Sequence, residues 1–227
     1  MKIIKIKSLH KIYNHAVVPV HAINDINVDF EEGEFTAIVG PSGSGKTTLL
    51  NLIGGLDDAT EGEIIINDVN IGTLSSKQKI DFRMHHIGFV FQAYNLIPVL
   101  TAKENVEFVM ELQGKPKAER EKRAIELLHE VGLEDKIDIR PNKLSGGQQQ
   151  RVAVARALAS KPKYILADEP TANLDSKSAE NLLEIMQRLN ENEKITFIFS
   201  THDERVVKKA RRVITLVDGK VDSDISR

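Results

Sequence analysis

The sequence predicts an α/β protein with a mainly parallel core sheet, an antiparallel β region toward the N-terminus and an inserted helical subdomain. Three features of the 227-residue chain point there: short β-branched apolar runs recur, amphipathic helical stretches separate several of them, and one long helix-rich segment holds no clear strand. Ile26 to Phe30 alternates apolar and polar residues, as a half-exposed antiparallel strand does. Phe35 to Val39, Ile87 to Phe91, Tyr164 to Ala167, Ile195 to Phe199 and Val213 to Val217 are mostly apolar, which suits strands covered on both faces. Lys117 to Val131 sets Ala124, Leu127, Leu128 and Val131 on one helical face, and Ser176 to Leu189 repeats the pattern through Leu182, Leu183, Met186 and Leu189. Asp218-Gly219 is a hairpin signal, since both residues tolerate positive φ. Between Phe91 and Tyr164 the chain reads as helical, punctuated by Gly114, Pro116, Pro141 and Gly146-Gly147. The expected organisation is one domain over 1–227, with an α/β core of 1–91 and 161–227 and the helical subdomain at about 92–160.

Composition narrows the function. Lys and Arg number 31 against 33 Asp and Glu, a net charge of −2, so the chain has no general attraction for phosphate backbones and nucleic acid is not an expected partner. Any anion must be held locally. The absence of cysteine excludes disulfides, thiol nucleophiles and Cys-ligated zinc, in keeping with a reducing cytosol. No apolar run approaches the ~18 residues needed to span a bilayer, and Met1-Lys2-Ile3-Ile4-Lys5 lacks a leader pattern. The expectation is a cytoplasmic protein whose membrane work, if any, needs a second chain.

Gly40-Pro41-Ser42-Gly43-Ser44-Gly45-Lys46-Thr47 fits the phosphate-loop pattern G-x-x-x-x-G-K-[ST], follows the strand FTAIV directly and opens the apolar helix Thr48 to Ile53. Glycines let backbone N–H groups turn in around phosphate oxygens, the helix start adds a positive dipole end, Lys46 supplies a point charge, and Thr47 offers a hydroxyl to Mg²⁺. A triphosphate can be gripped there by a neutral protein. Tyr164 to Ala167 then leads into Asp168-Glu169, two acids at the end of an apolar strand, where the sheet edge also carries the phosphate loop. In that setting Asp168 reaches Mg²⁺ through water and Glu169 polarises an attacking water.

Leu144-Ser145-Gly146-Gly147-Gln148 is a second loop feeding a helix, with Ser145 as N-cap and two glycines that admit close backbone approach, so the chain carries two anion-binding helix starts. Here the sequence resembles the ATP-binding cassette family over essentially its whole length. GPSGSGKTT looks like Walker A, Gln92 after GFVF like the Q-loop glutamine, LSGGQ like the family signature and ILADE like Walker B with the catalytic glutamate. Asn173-Leu174-Asp175 looks like the D-loop and His202 after FIFST like the switch histidine.

The resemblance implies a phosphate-loop NTPase fold of cassette type, ATP and Mg²⁺ as ligands, and ATPase activity. It assigns Glu169, His202, Lys46 and Gln92 to catalysis and Thr47, Gln92 and Asp168 to the metal. Nucleotide contacts fall to Gly40 through Thr48, Ser145, Gly146, Gly147, Gln148 and Asp175, with Tyr13 in the aromatic position that stacks on adenine. In the family one subunit's signature closes on ATP held by the other, which implies a head-to-tail homodimer around two nucleotides. The remaining histidines, His10, His15, His21, His85, His86 and His129, read as surface or satisfied residues, and Arg151 and Arg156 as structural ion-pair residues.

Ala93 to Val106, LSGGQQQRVAVARAL and the segment from Thr201 resemble the lipoprotein-releasing and macrolide-exporting branch, whose members pair with an integral membrane permease and sit on the inner face of the membrane. Ala172 departs from the branch, where glycine is usual; the change stiffens the approach to the D-loop and removes no catalytic group. The apolar series Tyr94, Leu96, Ile97 and Val99 is expected to be exposed and to dock a permease helix, with packing inside the helical segment as the alternative. Two other classes compete. A non-transport cassette ATPase would normally carry a long coiled coil or two cassettes, and a nucleotide kinase leaves LSGGQ and His202 without a role.

Overall fold

The computed structural model describes residues 1–14 and 18–227; His15 lies outside them. Two sheets organise the chain. The strands β1 (Lys2–Tyr13), β2 (Val20–Glu31), β4 (Glu61–Ile66) and β5 (Val69–Asn70) form an antiparallel sheet in the order β2-β1-β4-β5. The larger sheet takes β3 (Phe35–Val39), β6 (Ile87–Val90), β7 (Tyr164–Asp168), β8 (Thr196–Ser200), β9 (Arg212–Val217) and β10 (Lys220–Ser226), in the order β10-β9-β3-β8-β7-β6. Its ladders are parallel except the β9–β10 edge, where Asp218 (φ 48) and Gly219 (φ 74) make the expected hairpin turn.

Alternate residues of the parallel strands enter two separate cores, which is why these runs are mostly apolar on both faces. Ala37, Ile165, Phe197 and Phe199 face one core with α5 (Gly146–Ala159) and α6 (Ser176–Glu193). Ile38, Leu166 and Ile198 face the other, with α1 (Lys46–Ile53) and the inner side of the antiparallel sheet. The amphipathic faces read from the sequence are the buried ones: Ala124, Leu127 and Leu128 of α4 (Lys117–Glu130), and Leu182, Leu183, Met186 and Leu189 of α6.

Beyond β6, α3 (Ala102–Leu112), α4 and α5 pack on one another. Each of α3 and α5 starts in a capping box, Thr101 with Glu104 and Ser145 with Gln148. The helix α2 (Ser76–His86) buries none of its residues, and α7 (Glu204–Lys209) joins β8 to β9. Among the described residues no helix is long and apolar enough to cross a membrane.

The apolar series after β6 is less exposed than its sequence suggests. Val99 is 69% exposed, but Tyr94, Leu96 and Ile97 are half-buried and Leu96 packs against the core. Arg156 explains the shape of this stretch by donating to the carbonyls of Tyr94 and Asn95, successive residues in left-handed conformation (φ 57 and 51). Arg151 likewise donates to the carbonyls of Val131 and Gly132 just past α4. The ion-pair reading of these two arginines is therefore corrected: they hold backbone carbonyls, and among the described residues neither forms an ion pair.

Candidate nucleotide site

Parallel strands bring their C-terminal ends to one edge of the sheet, and the loops there carry the candidate residues. After β3 the chain turns sharply: Gly40 lies so near the neighbouring strand that a Cβ would sit 2.1 Å from the carbonyl oxygen of Leu216. Gly45, at φ 98, leaves no room either, since its Cβ would be 2.4 Å from the carbonyl of Ala22. The hairpin turn supports the loop from outside, with Gly219 N donating to Ser44 O at 3.2 Å. No side chain caps α1, so the first-turn N–H groups remain available to a ligand. The Lys46 ammonium donates to the carbonyls of Gly40 and Pro41, both at 2.9 Å, which holds its charge over the loop.

The two acids at the end of β7 separate, as expected of neighbours with different tasks. Asp168 turns to α1, where Thr47 Oγ1 lies 3.1 and 3.2 Å from its carboxylate oxygens. Glu169 takes a left-handed backbone (φ 45) fixed by its N–H donating to Ser200 O at 2.8 Å. That turn points its carboxylate across to the loop after β8. Oε1 is 2.7 Å from His202 Nδ1, and Oε2 accepts from Thr201 Oγ1 at 3.2 Å. A carboxylate oxygen can only accept, so Nδ1 carries the proton in this contact and the tautomer is set. The side chain of Glu169 is 17% exposed and that of His202 76% exposed.

A second set of bonds, invisible in the motifs, ties the two loops together. Asp203 Oδ2 accepts from Thr171 Oγ1 at 2.6 Å, Asp203 N donates to Thr201 Oγ1 at 3.0 Å, and Arg205 forks onto the same carboxylate. Burial works to raise the Asp203 carboxyl, but the hydrogen bonds from Arg205 and Thr171 outweigh it and bring it down to about 2. Thr171 stands two residues past Glu169 and Asp203 one past His202, so this contact fixes the spacing of the acid and the histidine.

Glu169 and His202 border a cavity of about 810 Å³ whose wall also includes Tyr13, Gly40 to Gly43, Gly45 to Thr48 and Gln92, while Ser44 and Asp168 lie outside its lining. His21, read from the sequence as a surface histidine, stands in the same wall on β2. Gln92 is exposed there, its backbone carbonyl held by the Asn173 side chain at 3.0 Å. Ser145, Gly146, Gly147, Gln148 and Asp175 do not line this cavity. Ser145 and Gln148 cap α5, and Asp175 caps α6 by accepting from Ser178 N at 3.0 Å. The phosphate loop and the glycine-rich start of α5 thus stand apart within one chain. The hydroxyl of Thr47, the carboxylate of Asp168 and the amide oxygen of Gln92 are all hard oxygen donors, a set that fits Mg²⁺.

The ABC transporter family pattern matches residues 23–172 of this sequence. The chain belongs to the ABC transporter family. An ABC transporter ATP-binding protein of Thermotoga maritima is 46% identical over 97% of this chain and 94% of its own length. The lipoprotein-releasing system ATP-binding protein LolD 1 of Rhodopseudomonas palustris is 45% identical over 96% of this chain and 98% of itself. The macrolide export ATP-binding/permease protein MacB of Mannheimia succiniciproducens is 46% identical across the whole chain, which spans only 35% of that protein. Among solved structures, the dimeric post-hydrolysis cassette MJ0796 of Methanocaldococcus jannaschii, bound to ADP and Pi, superposes with a TM-score of 0.91 at 44% identity, covering 98% of both chains. As a member of this family the protein is an ATP-binding and ATP-hydrolysing subunit of the transport type, similar to the lipoprotein-release and macrolide branch.

Proposed function

We propose that two copies of the chain close head-to-tail around two MgATP and reopen after hydrolysis, driving a separate integral permease from the inner face of the membrane. The observation that carries this reading is the Glu169–His202 contact at 2.7 Å facing the phosphate loop across one cavity, with the LSGGQ helix start outside it. A single chain holds the reacting groups and lacks a lid. The second anion cradle is free to serve a neighbouring copy, whose own cradle serves this one.

In this mechanism Lys46 and the loop amides hold the β- and γ-phosphates, and Tyr13 stacks on the adenine. Thr47, Asp168 and Gln92 hold Mg²⁺, which supplies charge neutralisation at the phosphates. Glu169 accepts a proton from water placed in line with the γ-phosphate, and His202, with Nδ1 turned to Glu169, keeps the carboxylate aimed. The partner's signature amides meet the phosphoryl oxygens from the far side. Residues 1–227 act as one cassette, and the helices within about 92–160 form the arm that swings as the dimer closes.

Permease docking is supported by exposed apolar residues. Leu56, Ile80 and Leu112 are 46%, 57% and 59% exposed, and their segments meet where Arg83 donates to Gly55 O and Gln113 to Met84 O. Together these three residues suit a cytoplasmic helix of a membrane protein.

Glu169→Gln tests the engine. The variant keeps ATP binding, forms an ATP-dependent dimer in light scattering, and loses hydrolysis by about a hundredfold or more. Hydrolysis at the normal rate refutes the assignment of the base, and a strictly monomeric variant at saturating ATP refutes the sandwich.

A further inference from the structure

We infer that Asp57 and Lys11 are positioning residues that lock the Tyr13 ring as the platform for the nucleotide base. The inference rests on the reading of Tyr13 as the adenine platform and adds what holds that platform still. Tyr13 ends β1, beside the cavity, and a ring on the last residue of a strand is free to swing unless something outside the strand restrains it.

The restraint comes from the loop after α1. Leu56 and Asp57 donate their N–H groups to Asn51 O, which pins the loop to the end of the helix. Asp57 then accepts at both oxygens: Oδ2 from the Tyr13 hydroxyl at 2.7 Å, Oδ1 from Lys11 Nζ at 2.6 Å and from the N–H of Asp58 at 2.7 Å. Lys11 is only 12% exposed, donates also to Asp58 O at 2.7 Å, and its ammonium lies 4.8 Å from the centre of the Tyr13 ring. Lys11 does not border the cavity and Tyr13 does, so the ammonium covers one ring face and leaves the other for a base. Burial, and then the Asp57 contact, push the pKa of the Tyr13 hydroxyl up, which keeps it protonated and a donor.

A geometric consequence follows from α1. Its first turn grips the phosphates and the loop just past its last turn grips Tyr13, so an eight-residue helix, about 12 Å long at 1.5 Å per residue, fixes the base platform relative to the phosphate loop. Asp57 and Lys11 therefore set the fit for a nucleotide carrying both a base and a polyphosphate, and do nothing for a bare polyphosphate.

Calorimetric binding of ADP and of pyrophosphate to purified protein separates these roles. Asp57→Ala weakens ADP about fivefold and leaves pyrophosphate unchanged. Asp57→Asn restores ADP, because its carboxamide N–H reaches the Tyr13 oxygen from the same place. In a Tyr13→Phe background Asp57→Ala has a smaller further effect, since its bond to the hydroxyl is already gone and only its hold on Lys11 remains to be lost. Equal weakening of both ligands, or additive losses in the double variant, overturns the inference. Tyr13→Ala is the control for the reading beneath it. If it weakens ADP while Asp57→Ala does not, the platform stands without its lock; if it leaves ADP unchanged, platform and lock fall together.

Discussion

Two helices of this chain begin at glycine-rich loops, and they begin differently. α1 has Gly45 as N-cap, left-handed, with no side chain bonded to its first turn, and Lys46 stands at its first position. α5 has Ser145, whose Oγ accepts from Gln148 N at 3.3 Å while Gln148 Oε1 accepts from Ser145 N at 2.9 Å. A helix start has four N–H groups without internal partners. The first helix leaves them to a ligand and adds a cation; the second already satisfies two and brings no charge of its own. In the proposed mechanism this difference suits the phosphate loop to hold nucleotide alone, and the signature to add a few contacts to a phosphate already placed by another copy.

Substitutions that strip each cradle sharpen the contrast, beginning with the largest effect. Lys46→Ala removes a charge-assisted contact and lowers ATP affinity by about ten- to a hundredfold in calorimetry of the isolated chain. Unchanged affinity would erase the difference between the two helix starts. Gly45→Ala combines a left-handed φ with a carbonyl 2.4 Å from the new Cβ, so it costs about 2–3 kcal/mol in denaturant unfolding and also loses nucleotide. Gly146→Ala costs less, because the crowding atom is the Tyr94 hydroxyl at 2.8 Å, the far end of a side chain that can move. Ser145→Ala is the mildest, about 1 kcal/mol of stability from the lost cap. It leaves ADP binding to the single chain intact while weakening the ATP-dependent dimer, and a loss of ADP affinity would contradict the separation of the surfaces.

Much of this was readable from the sequence, for identifiable reasons. The phosphate loop, Asp168-Glu169 and LSGGQ are each contiguous, so local order carries them, and doubly covered strands such as Phe35–Val39 announce themselves by being apolar at nearly every position. The strand β1 hides itself: Ile3, Ile4, Ile6 and Leu9 are buried, but shifts of register with β2, and Ser8 at φ 42, break the alternation that would have marked a strand. Helix α2 buries nothing, and a helix without a buried face has no periodic signal to read. At the site, the bonds of Thr201 to Glu169, Asp203 to Thr171 and Asp57 to Tyr13 join residues 32 to 44 positions apart, and no spacing rule anticipates them. Arg156 looked like an ion-pair residue because its targets, the carbonyls of Tyr94 and Asn95, depend on a left-handed backbone that only folding reveals.

Gln150, on the second turn of the signature helix, is fully buried, and its amide nitrogen donates at once to Phe91 O, beside Gln92, and to Pro170 O, beside Glu169. A neighbour that grasps the front of this helix therefore pulls on a tether with two far ends. In the proposed dimer the acid assigned to water activation and the segment leading toward the permease feel the same tug, which gives the chain a mechanical reason to fire only when its mate has arrived.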